Sequence, residues 1–139
     1  MIPIVCLDDQ QGMMFNHRRQ SMDECLRKDL IDQITPNKLW MNEYSLKQFK
    51  DTSYDNMIVH EQFLELAQLG EYCFVENQFL SKYLDRIEKI IVYRWNRIYP
   101  ADMKFDLDLS QPEWKRLAVS EFQGKSHPII SKEVLVYEK

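Results

Sequence analysis

The segment from Tyr72 to Leu80 is where this sequence could carry phosphate-binding chemistry. Tyr72-Cys73-Phe74-Val75 is apolar and predicts a buried strand that runs directly into a helix opened by Phe79-Leu80. Nucleotide-binding folds hold pyrophosphate at such a junction because glycines let the ligand approach the backbone and because free N–H groups at the helix start attract anions. Here the turn carries Glu76 and Asn77. A carboxylate at the anion position disfavours a bound dinucleotide.

Other residue types that carry chemistry are scattered along the chain. His17, His60 and His127 lack the spacing of metal ligands and have no acid or cysteine paired with them in sequence, so no metal site is predicted. The three glycines form no phosphate-loop motif, and no serine lies in a nucleophile-elbow pattern. The three cysteines lie in apolar or helical contexts, which predicts buried, reduced thiols.

Composition and charge limit the class of protein. The 139 residues, 45% of them hydrophobic, predict one globular domain over residues 1–139 with a substantial core. A net charge of -4 disfavours non-specific binding to nucleic acid or anionic lipid. The basic and aromatic run from Arg94 to Tyr99 could stack on single-stranded nucleic acid, but an edge strand with exposed arginines is the favoured interpretation. No apolar run approaches the length of a membrane span and no secretory leader pattern is present, so we expect no membrane partner and a cytoplasmic protein.

Strand and helix patterns alternate along the chain, which predicts an α/β fold. Short apolar runs predict strands at 2–7, 39–41, 57–59, 72–75 and 89–95. Helical patterns between them predict helices or helical turns at 21–34, 44–49, 62–69 and 79–84. Such alternation implies a mainly parallel central sheet with helices on both faces, in three layers. Residues 114–122 and 129–137 predict a terminal antiparallel hairpin.

Two helix boundaries carry specific expectations. Ser21 can cap the first helix, with Glu24 at the capping-box position three residues later. Gly70 is expected to end the helix at 62–69, and the first helix is expected to end before Pro36.

The strand ending in Leu7-Asp8, with the loop from Gly12 to Asn16, resembles the opening of dihydrofolate reductase. Phe74-Val75, the helix through Leu84, the strand at 90–93 and the loop at 100–105 look like that family's fifth strand, helix, sixth strand and acidic loop. The final two strands look like its closing hairpin. The resemblance implies a dihydrofolate reductase-like fold over nearly the whole chain.

The resemblance also implies a substrate pocket with one catalytic acid. In that family a buried carboxylate lies twelve residues beyond the glycine that Gly12 resembles, which places it at Glu24. Its role there is to bind the pteridine ring and to help deliver a proton before hydride transfer. From the residues alone, the stronger interpretation is that Glu24 and its neighbour Asp23 are acids that favour a helix start, and the register leaves open which of them faces the pocket. The other pocket residues implied are Ile4, Cys6, Arg19, Leu30 and Arg94.

Departures from the family pattern fall on the cofactor positions. Asn42, Glu43 and Ser45 stand where the family has a glycine, an arginine and a threonine that hold NADPH phosphates. Glu76 and Asn77 replace a pair of glycines. The eleven positions from 60 to 70 leave no residues for a strand and a basic loop that the family places there. The chain therefore resembles a shortened, divergent member that lacks the usual NADPH-binding motifs.

Two functional hypotheses follow. The first is a non-catalytic binding or regulatory protein that uses no cofactor and takes an unidentified small-molecule ligand. The second is a divergent NADPH-dependent dihydrofolate or pterin reductase with Glu24 as the active-site acid. The lost strand also predicts a sheet edge that either pairs with a second copy, giving a homodimer, or is covered by a helix.

Overall fold

The computed structural model describes residues 1–138. A seven-stranded sheet lies at the centre of the fold. The strands are β1 (Ile2–Leu7), β2 (Gly12–Phe15), β3 (Arg18–Arg19), β4 (Leu39–Met41), β5 (Met57–Val59), β6 (Tyr72–Phe74), β7 (Ile90–Arg94), β8 (Met103–Lys104), β9 (Trp114–Phe122) and β10 (Ile130–Tyr137). The helices are α1 (Glu24–Ile34), α2 (Glu43–Leu46) and α3 (Phe63–Leu66), with 3₁₀ helices at Lys47–Phe49 and Ser81–Arg86.

The sheet has the mixed topology that the alternating pattern predicts. Its strand order is β5-β4-β6-β1-β7-β10-β9. β1 runs parallel to β6 and β7, and β4 runs parallel to β5 and β6. β10 runs antiparallel to both β7 and β9, which forms the predicted C-terminal hairpin. The parallel strands β1, β6 and β7 are covered on both faces, which explains why they are continuous apolar runs in sequence.

Alternate residues of β1 pack into two apolar clusters on opposite faces of the sheet. Ile2 and Ile4 pack with the apolar stripe of α1, whose Leu26, Leu30 and Ile34 are fully buried. On the other face, the alternate residues of β1 pack with residues from α3 and the segment before the second 3₁₀ helix. Helical segments therefore cover both faces of the sheet.

The start of α1 differs from the prediction. The N-cap is Asp23, whose carboxylate accepts the backbone N–H of Cys25 at 2.9 Å. Ser21 lies outside the helix and its hydroxyl is bonded to His127, so the predicted capping box with Glu24 is wrong. A contact from a distant loop sets this boundary, and such a contact leaves no trace in the local pattern.

The two later helices differ from the prediction, one in length and the other in type and position. α3 spans only four residues, and its C-cap is Ala67 rather than the predicted Gly70. The predicted helix at 79–84 is a 3₁₀ helix that begins at Ser81. Glu76 and Asn77 therefore lie in an irregular turn that no helix follows directly. Short helices gain little from propensity alone, which is why tertiary contacts decide their length.

The sheet edges are formed by β5 and β9. Only α3 lies between β5 and β6, as the short spacing predicts. β7 is flanked by β1 and β10, so the predicted edge strand at Arg94 is wrong. β9 carries a register shift opposite Val134 and Leu135. Such an irregularity disfavours pairing with another edge, and the homodimer stays a prediction. Among residues 1–138, no helix has the length and apolar character needed to cross a membrane.

Asp8 anchors the loop that joins β1 to a second, three-stranded sheet of order β3-β2-β8. Its buried carboxylate accepts backbone N–H groups from Gln10, Gly12 and Tyr99, and the side-chain amide of Gln20. Burial alone would raise the pKa of Asp8, but these hydrogen bonds outweigh burial and lower it. The loop is therefore fixed around an ionised carboxylate.

Gly12→Ala is expected to lower the free energy of unfolding by about 2 kcal/mol through overpacking. A methyl group there would lie 2.8 Å from the Ala101 Cβ and 3.0 Å from an Asp8 oxygen, and would also contact Gln20. Urea denaturation measures the loss. Gly70→Asn is the control, because Gly70 has a φ of +78° that asparagine tolerates and because a Cβ there would meet no atom within 4 Å. Equal losses in the two variants would contradict the steric explanation.

Candidate functional site at the strand ends

The carboxyl ends of β1, β4 and β6 meet at one edge of the sheet, which is where open parallel sheets bind ligands. Five side chains form two adjacent hydrogen-bonded groups there, one around Glu76 and one between two asparagines. We call them the strand-end cluster: Arg19, Asn42, Gln48, Glu76 and Asn77.

A two-pronged ion pair between Arg19 and Glu76 is the centre of the cluster. The Arg19 Nε and Nη2 atoms donate to the two Glu76 oxygens at 2.8 and 3.1 Å. Gln48 Nε2 donates to the same carboxylate at 3.0 Å. The Arg19 guanidinium also lies 4.6 Å from the ring centre of Tyr44 and donates to the Tyr44 carbonyl. Both charged side chains are largely buried, with 20% and 7% of their surfaces exposed.

Burial would lower the pKa of Arg19, but the hydrogen bond and charge of Glu76 outweigh burial and raise it. Beneath the pair, Cys6 lines a cavity of only about 10 Å³, roughly the space of one water molecule. Burial, and then the charge of Glu76, raise the pKa of the Cys6 thiol far above its usual value, although Arg19 opposes this. Cys6 is therefore a neutral thiol and a poor nucleophile.

Asn42 and Asn77 close the gap between the ends of β4 and β6. Asn42 Nδ2 donates to Asn77 Oδ1 at 2.9 Å. The other side-chain atom of Asn42, its Oδ1, accepts the backbone N–H of Ser45 and caps α2. Ser45 is fully buried, and its hydroxyl makes no hydrogen bond within the described residues. The two asparagines thus satisfy each other and the helix start.

Carboxylates of the chain itself occupy the N–H groups at both nearby helix starts. The backbone N–H of Glu43, the first residue of α2, donates to Glu61 at 2.9 Å. Before the second 3₁₀ helix, the N–H groups of Leu80 and Ser81 donate to Asp106 at 2.9 and 2.8 Å. The sequence did not indicate these roles for Glu61 and Asp106, or that of Gln48, because their partners lie 18 to 28 residues away.

Three predicted pocket residues lie outside the cluster. Ile4 and Leu30 are buried in the core beneath α1. Arg94 ends β7 and pairs with Glu133 of β10. Of the implied pocket residues, the structure therefore brings only Cys6 and Arg19 together with Glu76.

Glu24, the implied catalytic acid, is the first residue of α1 and lies at the surface. Its side chain is 63% exposed and pairs with Lys125 at 2.6 Å. The hydrogen bond and charge of Lys125 lower the pKa of Glu24. These surroundings differ from the apolar cleft that the resemblance implies for a proton donor.

Asp23, the neighbouring acid, is buried and accepts four hydrogen bonds. They come from the backbone N–H groups of Cys25, Lys125 and Ser126 and from Nδ1 of His127, at 2.8 to 3.0 Å. Burial would raise the pKa of Asp23, but the His127 hydrogen bond and the three backbone bonds outweigh burial and lower it to about 2. No three His, Cys, Asp or Glu side chains converge as a metal site in the part of the chain from 1 to 138.

A groove of about 500 Å³ lies between α1 and residues 48–52. Its lining carries both signs of charge and includes Glu24, Arg27, Lys28, Asp32, Gln48 and Asp51, so the implied catalytic acid lies at the edge of this groove. One guanidinium nitrogen of Arg27 is buried and makes no hydrogen bond within the described residues. Gln48 connects this groove to Glu76 of the strand-end cluster.

Comparison with known proteins adds a fold but no family assignment. The sequence matches no protein-family model and no curated protein. Among solved structures, a dihydrofolate reductase from Enterococcus faecalis in complex with NADP(H) and RAB-propyl matches with a TM-score of 0.68. The match covers 99% of this chain and 96% of that chain. This chain has a dihydrofolate reductase-like fold.

The predicted fold class is thereby confirmed, including the mixed central sheet with helices and the C-terminal antiparallel hairpin. The identity to the Enterococcus faecalis structure is 12%, so the likeness concerns the fold alone. What the dihydrofolate reductase-like fold does here must be inferred from this chain's own side chains.

Arg19→Met is expected to lower the free energy of unfolding by about 3 kcal/mol, because it leaves the buried Glu76 carboxylate without its cation. Urea denaturation measures the loss, with Arg18→Met as the exposed control that changes stability by less than about 0.5 kcal/mol. Adding Glu76→Leu to Arg19→Met is expected to restore much of the loss. Strictly additive losses in the double variant would contradict the coupling.

The Asp23 carboxyl is expected to make stability fall as the pH drops from about 4 towards 2. Its pKa in the folded chain is about 2 against an ordinary value of 3.8, so its contribution is complete above pH 4 and is lost below. That contribution is about 2 kcal/mol, from 1.4 kcal/mol per pKa unit. Thermal unfolding from pH 2 to 7 measures this contribution. Asp23→Asn should reduce the loss of stability below pH 4, whereas Glu24→Gln should leave most of that loss in place.

Proposed function

We propose that this chain is a non-catalytic binding domain on a dihydrofolate reductase-like fold, in which internal side chains occupy the strand ends where a nicotinamide cofactor would lie. The ion pair between Arg19 and Glu76 is the observation that carries the proposal. It places a buried carboxylate, paired with the Arg19 cation, at the turn after β6. The cavity beneath the ion pair has a volume of only about 10 Å³.

The residues at the strand ends do not fit a pyrophosphate group. Glu76 would repel it, and the bond between Asn42 and Asn77 closes the gap between two strand ends. Glu61 and Asp106 already occupy the backbone N–H groups that would attract it. Breaking one partner away from a buried ion pair costs about 3–5 kcal/mol. That cost weakens binding by about two to three and a half powers of ten, before any repulsion is counted.

The acids near the start of α1 do not favour the reductase alternative. A proton donor works best when its pKa lies near the working pH. The pKa of Asp23 is about 2, and that of Glu24 is lowered by Lys125, so both carboxyls are ionised at neutral pH. Neither acid holds a proton ready for a pterin ring.

The groove between α1 and residues 48–52 supports a role in binding a small molecule. Its volume of about 500 Å³ is in the range of small-ligand sites. Arg27 and Lys28 both line the groove, and their charges favour an anionic group on the ligand. Glu24, Asp32 and Asp51 also line the groove and disfavour a second anionic group. The ligand class proposed is a small molecule with one anionic group and several hydrogen-bond donors.

Titration with NADPH and with methotrexate, followed by the fluorescence of Trp40 and Trp95, tests the loss of the cofactor site. No saturable quenching is expected at NADPH concentrations up to about 1 mM. A Kd of about 1 mM corresponds to a binding free energy of only about 4 kcal/mol. Saturable binding of both compounds, with dihydrofolate-dependent oxidation of NADPH, would establish the reductase alternative instead.

A panel of α-amino acids and simple monocarboxylates, observed by NMR, tests the groove. The expected result is a set of shifts confined to residues 27–32 and 48–52 that Arg27→Met abolishes. Arg18→Met is the matched control, because Arg18 is an exposed arginine outside the groove lining. Shifts that persist in Arg27→Met would contradict the proposed ligand class. The absence of shifts with every compound of the panel would contradict it as well.

A further inference from the structure

A second polar cluster lies where the loop between β9 and β10 meets the segment before α1. Ser21 Oγ is 3.0 Å from Nε2 of His127. Nδ1 of the same ring is 2.9 Å from Oδ2 of Asp23. A hydroxyl, an imidazole and a carboxylate are thus connected in one line of hydrogen bonds. This is the order of nucleophile, general base and orienting acid found in acyl-transfer sites on unrelated folds.

The imidazole is held in a fixed orientation. Asp23 and His127 are 2% and 3% exposed. Trp95 stacks on the ring with centroids 4.6 Å apart and planes inclined by 27°. Gly124 allows the close approach, because a Cβ there would lie 2.8 Å from Asp23 Oδ2. These contacts prevent the ring from turning away from its two partners.

The protonation pattern of the ring follows from Asp23. Its carboxylate already accepts three backbone N–H groups and can only accept, so Nδ1 of His127 must carry the proton between them. In the neutral ring, Nε2 is then the free acceptor. It faces the Ser21 hydroxyl, which is the arrangement that a general base requires.

Ser21 is the least buried of the three residues. Ser21 is only partly buried and lies outside α1. Its chain neighbour Met22 is 52% exposed, and Ile129, two positions beyond His127, is 47% exposed. Exposed apolar residues at these sequence positions, next to Ser21 and close to His127, suit a short, uncharged acyl group. The Tyr99 hydroxyl also lies 3.0 Å from Nε2 and competes with Ser21 for it.

From this geometry we propose that Ser21 is a nucleophile towards short-chain acyl esters, with His127 as its general base and Asp23 as the residue that positions the base. Ser21 Oγ bonds to the carbonyl carbon while its proton passes to Nε2. The bond to the alkoxide breaks, and that proton leaves with the alcohol. Water then splits the acyl-serine ester with the help of the same ring, which releases the carboxylic acid and returns a proton to Ser21. None of the strand-end cluster takes part.

Incubation with p-nitrophenyl acetate tests the proposal, with nitrophenolate followed by absorbance and the acetyl group located by peptide mass spectrometry. Acetylation is expected at Ser21 and is lost in Ser21→Ala. His127→Ala and His127→Asn should each slow acetylation by about 100-fold, the lower end of the usual contribution of a general base. Tyr99→Phe should speed acetylation, because it removes the competing hydroxyl. A purely structural role of the cluster predicts no such increase.

Ser110 is the matched control serine. Its hydroxyl donates to Asp108 at 2.5 Å, so it has a carboxylate neighbour and no imidazole. Ser110→Ala should leave both nitrophenolate release and Ser21 acetylation unchanged. Acetylation of Ser21 that is absent, or no faster than that of Ser110 in the wild-type chain, would overturn the proposal. That comparison needs no variant, so it decides the question even where a His127 variant fails to fold.

Discussion

The ion pair between Arg19 and Glu76 is the interaction on which the strand-end cluster depends. Taking either charge out of water alone would be strongly unfavourable, so each side chain requires the other at this edge of the sheet. Because Glu76 is bound by two donors of Arg19 and one of Gln48, the pair connects β3, the turn after β6 and the helix that begins at Lys47. The position of these three segments therefore rests on one satisfied carboxylate.

The neighbouring backbone N–H groups are also bonded to carboxylates of the chain itself. Parallel strands followed by helices leave unpaired N–H groups that attract anions. Here Glu61 and Asp106 supply those anions from within the chain, and Asn42 and Asn77 bond to each other. These backbone and amide groups are thus bonded within the chain, whereas the buried Ser45 hydroxyl beside them has no partner among the described residues. A ligand would have to replace these contacts with better ones, since it would find few donors free.

The strands could be predicted from the sequence, but the partners of the site residues could not. Apolar runs such as Ile2–Leu7 and Ile90–Arg94 fix strand positions because both faces of these strands are buried. The replacement of glycines by Glu76 and Asn77 is equally visible. The bond from Gln48 to Glu76 and that from Asp106 to Leu80 span 28 and 26 residues, and no local pattern encodes them. The start of α1 was mispredicted for the same reason, because loop contacts more than 100 residues away favour Asp23 as the cap.

The five residues from Arg19 to Asp23 connect the two buried polar clusters. Arg19, at the end of β3, reaches Glu76, whereas Ser21 and Asp23 reach His127. A regular strand would place these alternate positions on one face. The chain bends at Gln20, directly after β3, and the residues on the two sides of the bend bond to different clusters. A small cavity lined by Arg19, Ser21 and Trp95 lies between the clusters. Any displacement of this segment towards one cluster would pull a charged group from the other, so the two clusters hold the entrance to α1 in one position. The exposed Glu24, one residue beyond the segment, is joined to Lys125 at the surface and contributes to neither cluster.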